Sequence, residues 1–77
     1  MKITKHAFEQ MEKRGFTTDM LRFLLKHSKI TKLSKSNPSR YLKVGFVDGN
    51  WWTIVVDKDL FTLVTVRRAH ASEIEGD

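Results

Sequence analysis

Cysteine is missing from this chain of 77 residues, proline occurs once, glycine four times, and acids are outnumbered by bases. Without thiols there is neither a disulfide framework nor a thiolate metal site, and a reducing, cytoplasmic location is the expectation. The glycines are scattered, so no glycine-rich loop can cradle a nucleotide phosphate. No apolar run approaches the ~18 residues that cross a bilayer, and the Met1-Lys2-Ile3 start has no signal-peptide core, so no membrane partner is expected. His6, His27 and His70 are too dispersed for ligand spacing, and neither a metal nor another cofactor is expected.

What is present fits one domain over residues 1–77. Hydrophobic residues make up 40 % of the chain, including five Phe, two Trp and one Tyr, which argues against disorder. A chain this short buries only about 60 to 65 % of its unfolded surface, so its core must be well packed. The formal charge is +5, but Glu73, Glu75 and Asp77 fall in the last five residues, and residues 71–77 read as a flexible acidic tail. The remaining body sets 14 bases against 6 acids. Its densest basic segment, Lys26 to Lys43, holds Lys26, Lys29, Lys32, Lys35, Arg40 and Lys43 with no acid, a composition that attracts polyanions through counterion release.

Two helices open the chain. Thr4 as N-cap, bracketed by Ile3 and Phe8, and Gly15 as a left-handed terminator predict a helix over 5–14. Thr17 as a second N-cap, with Asp19 in the first turn, predicts another over 18–27, with Met20, Leu21, Phe23, Leu24 and Leu25 as its apolar face. The period then changes. A short extended segment at 29–33 leads to the polar loop Ser34 to Ser39, and Arg40 to Val47 alternates, with Leu42, Val44 and Phe46 on one face and Tyr41 and Lys43 on the other. Asp48-Gly49 is a two-residue hairpin turn that sets Phe46 near Trp51 and Val44 near Thr53. Lys58-Asp59 forms a second turn between strands 51–57 and 60–68. The expected class is α+β, with the two helices on one face of an antiparallel meander of three to four strands. Because the last two strands are apolar on both faces, the second face calls for a dimer contact or a packed C-terminal segment.

The chemistry-bearing residues begin on the first helix. At 3.6 residues per turn, His6, Gln10, Lys13 and Arg14 share a polar stripe opposite Ala7, Phe8 and Met11. Imidazole titrates near neutrality and a guanidinium fits phosphate oxygens in fork geometry, so the pair is suited to a phosphodiester. Arg67 and Arg68 point to opposite faces at the end of the last strand; Arg67, opposite Val66, is the better site candidate, and the other is expected to pair with a carboxylate such as Glu9 or Asp57. His6, Arg14 and Arg67 form the candidate catalytic set. Lys26, Lys29, Lys32, Arg40, Tyr41, Lys43, Arg68 and His70 form the candidate RNA-binding set, in which Tyr41 or an exposed Trp could stack a base.

The run His6-Ala7 with Arg14-Gly15, then Thr17-Thr18-Asp19, then a meander ending in Thr65-Val66-Arg67, resembles a family of small bacterial domains of uncharacterised function over residues 3–68. That family is grouped by fold with RelE-type toxins and with barnase and colicin-type ribonucleases. The resemblance implies an antiparallel sheet packed on two helices and, for active members, a metal-independent endoribonuclease acting as a toxin by 2′-oxygen attack. It matches His6 to the family's first-helix His, Arg14 to its Arg before Gly, Arg40 to a basic residue entering the next strand, and Thr65 to the Thr of the final strand. Where the family usually has Tyr after Thr-Val, this chain has Arg67. RNA is the implied substrate, and an active toxin implies an acidic antitoxin or immunity protein over the basic face. A noncatalytic basic binding module and an interaction protein, such as a phage-type inhibitor or toxin neutraliser, are the alternatives, and a homodimer is a further possible assembly.

Overall fold

In the computed structural model, which describes residues 1–74, two helices lie on one face of a five-stranded sheet. The elements run β1 (Lys2–Ile3), α1 (Lys5–Arg14), α2 (Thr18–His27), β2 (Ile30–Leu33), β3 (Arg40–Val47), β4 (Asn50–Asp57), β5 (Thr62–Arg68) and α3 (Ala71–Ile74). The strand order is β1-β5-β4-β3-β2. Strands β2 to β5 are the antiparallel meander, and β1 adds a short parallel strand beside β5, so the sheet is mixed.

The caps behave as their chemistry dictates. Thr4 Oγ1 accepts from the Ala7 amide at 3.1 Å and donates to the Val64 carbonyl at 3.2 Å, which ties the start of α1 to β5. Gly15 ends α1 at φ 68°, a conformation in which a Cβ would be strained. Asp48 and Gly49 both take positive φ, 53° and 82°, between the paired Val47 and Asn50, and the right-handed strand twist favours this turn.

Register then decides what is buried. Trp52, Ile54 and Val56 of β4 and Leu63 and Val66 of β5 face the helices, where Ala7, Met11, Phe16, Leu21 and Leu24 complete the core. Helix α2 sits so close to β3 that a Cβ on Gly45 would stand 3.3 Å from Leu24 Cγ and 3.4 Å from Ser28 Cα. A bulge between Val55 and Val56 accommodates the extra residue Val64 and keeps both Leu63 and Val66 turned inward.

Three sequence expectations need correction. The last strand begins at Thr62 instead of Leu60, because Leu60 is left-handed at φ 63° and Asp59 accepts from the Phe61 and Thr62 amides at 2.8 and 3.0 Å. The Phe61 amide also holds the Asp59 carboxyl below its usual value. The segment from Ala71 is not a loose tail over its described part: Ala71–Ile74 form a helical turn, and Glu73 is buried. The rest of that expected tail, 75–77, lies outside the described residues. Finally, Phe23 of the supposed apolar face of α2 is exposed and packs on His27 instead, ring to ring at 4.8 Å.

Candidate functional site

The face of the sheet turned away from α1 and α2 carries the site. Directly paired residues share a face, so the register brings together Lys32 of β2, Arg40, Leu42, Val44 and Phe46 of β3, Trp51, Thr53 and Val55 of β4, and Thr65 and Arg67 of β5. Helix α3 lies against the middle of this face, where Glu73 accepts from the fully buried Thr53. Beside it opens a cleft of about 380 Å³, floored by Leu42 and Val55 and lined by Lys32, Lys35, Arg40 and Arg67.

The loop between β2 and β3 shapes the rim. Ser34 N donates to the Arg40 carbonyl at 2.9 Å, and Arg40 N to the Asn37 carbonyl at 3.0 Å. Asn37 Oδ1 accepts from the Ser39 amide and hydroxyl at 3.1 and 2.6 Å, the local pairing that makes Asn a turn residue. This bracing fixes the chain on either side of Pro38 and keeps Lys35 and Arg40 at the cleft. Arg40 also has Asp57 opposite it in the register, where Asp57 Oδ1 accepts from the Lys58 amide at 2.9 Å.

One carboxylate anchors the other wall. Arg67 donates to Glu73 through both terminal nitrogens, Nη1 to Oε1 at 2.8 Å and Nη2 to Oε2 at 2.6 Å, a bidentate fork. Thr53 Oγ1 and the His70 amide donate to Oε1 at 2.8 and 2.9 Å. Burial pushes the Glu73 carboxyl up, but the bonds from Arg67, the His70 amide and Thr53, with the guanidinium charge, outweigh it and hold its pKa at about 2. At neutral pH this group is an ionised acceptor with no proton to give.

The sequence-derived catalytic set does not assemble. Helix α1 packs on the face of Ile54, Leu63 and Val66, whereas Arg67 leaves the opposite face, so the sheet stands between Arg67 and both His6 and Arg14. His6 and Arg14 are exposed, eight residues or about 12 Å of helix rise apart, and Arg14 Nε donates to Gln10 Oε1 at 3.2 Å. It is Arg68 that points to the helix side, with its guanidinium carbon 5.5 Å from the centroid of the Trp52 ring. The carboxylate partner expected for Arg68, Glu9 or Asp57, is replaced by the Trp52 ring, and it is Arg67 that pairs with a carboxylate, Glu73.

The RNA-binding set divides in the same way. Lys32 and Arg40 line the cleft, while Tyr41 and Lys43 are on the helix side, Tyr41 packed against the core and Lys43 Nζ 3.5 Å from Thr31 Oγ1. Lys26 and Lys29 are exposed at and just beyond the end of α2, and exposed His70 caps α3. Thr65 lines the cleft. Trp51 and Trp52 take opposite faces as alternation requires: Trp52 is buried against Phe16, and Trp51 meets the exposed Phe46 edge to face at 5.5 Å on the open face.

Glu73 and Lys35 complete a site that the candidate residues did not include. The signal for Glu73 was half of a capping box, a Glu at the third helical position reaching back to the N-cap amide, obscured because the cap is His70 in place of Ser or Thr. Among the described residues no group of three or more His, Asp or Glu could hold a metal ion, and no helix is long and apolar enough to cross a membrane. No protein-family model, curated protein or solved structure matches this chain.

Proposed function

We propose that the protein is a noncatalytic binding module for single-stranded RNA, which it holds on the open face of the sheet. The observation that carries this reading is the cleft itself, whose lining among the described residues holds the basic side chains of Lys32, Lys35, Arg40 and Arg67 and the carboxylate of Glu73. Cations spaced along a groove attract a phosphate backbone, and the Phe46–Trp51 pair on the same face offers an aromatic surface for an unpaired base. The RelE-like resemblance supports RNA as the ligand and a toxin-related setting for it. It does not extend to the cleavage step, because the imidazole of His6 lies behind the sheet from the cleft and Glu73 is ionised at neutral pH.

The test is titration of a labelled single-stranded RNA oligonucleotide at several salt concentrations. Affinity should fall with salt, and Lys35→Ala and Arg40→Ala should each lower the slope of log K against log salt by about 0.7, one phosphate contact on a single strand. Failure of the wild-type chain to bind at low salt would remove the reading. Incubation with total RNA in EDTA and analysis of the ends tests the chemistry: no 2′,3′-cyclic phosphate ends are expected, and their appearance would restore the endoribonuclease.

A further inference from the structure

We infer that Arg67 and Thr53 form an oxyanion-binding site on the open sheet face, whose resting occupant is the chain's own Glu73 and whose exchangeable ligand is a phosphate group. The assignment of that phosphate to a nucleic acid strand rests on the RNA-binding reading; the site does not. Thr53 and Arg67 are direct cross-strand partners on β4 and β5, so the sheet sets the two donor-bearing residues side by side on one face. Together they deliver three hydrogen bonds of 2.6 to 2.8 Å to one planar anion. A guanidinium fork accepts carboxylate and phosphate oxygens with the same geometry, so the receptor that holds Glu73 is chemically a phosphate receptor.

The occupant is held on a short tether. Over the described residues helix α3 is a single turn of four residues, closed by bonds from the Glu73 and Ile74 amides to the His70 carbonyl at 3.0 and 3.2 Å. One turn has little stability of its own, so α3 stays where Glu73 holds it. Arg67, Ser72 and Glu73 are also walls of the basic cleft, so an anion lying there is next to the fork that Glu73 fills. Exchange moves the Glu73 carboxylate to water and places a phosphate on Arg67 and Thr53, trading one set of hydrogen bonds for another with no covalent bond made or broken. In the resting state the cleft therefore has one cation fewer to offer than its lining suggests.

The experiment follows the Thr53 amide and the Arg67 guanidinium by NMR while inorganic phosphate is added. Four proteins are compared: wild type, Glu73→Gln, Glu73→Asp, which keeps the charge but shortens the reach, and Asp48→Asn, which removes a remote charge in the β3–β4 turn. Removing the occupant should lower the phosphate concentration at half-saturation about tenfold or more in Glu73→Gln relative to Asp48→Asn, with Glu73→Asp between wild type and Gln. Equal responses in Glu73→Gln and Asp48→Asn, or in Glu73→Asp and wild type should the Gln variant fail to fold, would overturn the site. The RNA oligonucleotide on the same four proteins identifies the source of the phosphate. A gain in Glu73→Gln assigns it to the strand, whereas a phosphate response without RNA binding keeps the site for free phosphate and removes the RNA reading alone.

Discussion

The two faces of this sheet bury their central residues by different means. On the helix side, Ile54, Val56, Leu63 and Val66 are sealed by Leu24, Met11 and Ala7, apolar surface against apolar surface, with Trp52 Nε1 a buried polar atom that has no hydrogen-bond partner among the described residues. On the open side, Thr53 is just as deeply buried, but its hydroxyl is hydrogen-bonded to Glu73 of a helical turn that an ion pair holds down. Apolar burial is indifferent to protonation, whereas a carboxylate clamp exists only while its carboxyl is ionised. The first face is a permanent core and the second a conditional one.

The largest effect should come from the permanent side. Leu24 is 1 % exposed and fills the approach of α2 to Gly45, so Leu24→Ala should cost about 2 to 5 kcal/mol of unfolding free energy in urea titration. The same loss is expected at neutral and at acid pH. A cost that depended on pH would mean that the two faces are coupled and that the contrast drawn between them is false.

The conditional side should respond to acid. The Glu73 carboxyl lies near 4.5 in an unfolded chain and at about 2 here, so its contribution is complete above about pH 4.5 and is lost as pH falls through about 2. The full shift overstates the energy, because the partner guanidinium is 28 % exposed to solvent; a contribution of ~1–2 kcal/mol is expected. Urea unfolding between about pH 5 and 2 should therefore show a steeper loss in wild type than in Glu73→Gln. Asp59, also held below its usual value, is present in both proteins and drops out of the difference. Parallel curves would show that the clamp does not stabilise the fold.

The permanent face was largely legible in the sequence and the conditional one was not, for a reason that lies in range. Thr4, Gly15, Thr17 and the Asp48-Gly49 turn act on their immediate neighbours, so the helices, the first hairpin and its pairing of Val44 with Thr53 and Phe46 with Trp51 follow from local chemistry. The apolar character of both faces of β4 announced that something must cover the second one, and a packed C-terminal segment was one of two candidates. What covers it could not be read, because Ala71–Ile74 is a single turn with little apolar surface and its anchor is set by where Arg67 points. Strand β1 escaped for a similar reason, being two residues that pair with Thr62 and Leu63 some sixty positions later. The site suffered most. Proximity along α1 suggested that His6 and Arg14 act together, but the third member of the set depended on which of two adjacent arginines leaves which face, and that choice put Arg67 behind the sheet.

The smallest expected effect is the one that separates the faces functionally. His6 is exposed on α1, on the side of the sheet that carries no part of the cleft, and Thr4 rather than His6 makes the capping bonds at that helix start. His6→Ala should change stability by no more than ~0.5 kcal/mol and leave RNA affinity and its salt slope as they are in wild type. Arg40→Ala, measured beside it, should weaken binding and flatten the slope, because its side chain lines the cleft that His6 never reaches. If instead His6→Ala abolished binding or removed an RNA-cleaving activity that wild type possessed, the working surface would be the helical side, and the basic cleft would be no more than a solvated rim around a buried carboxylate.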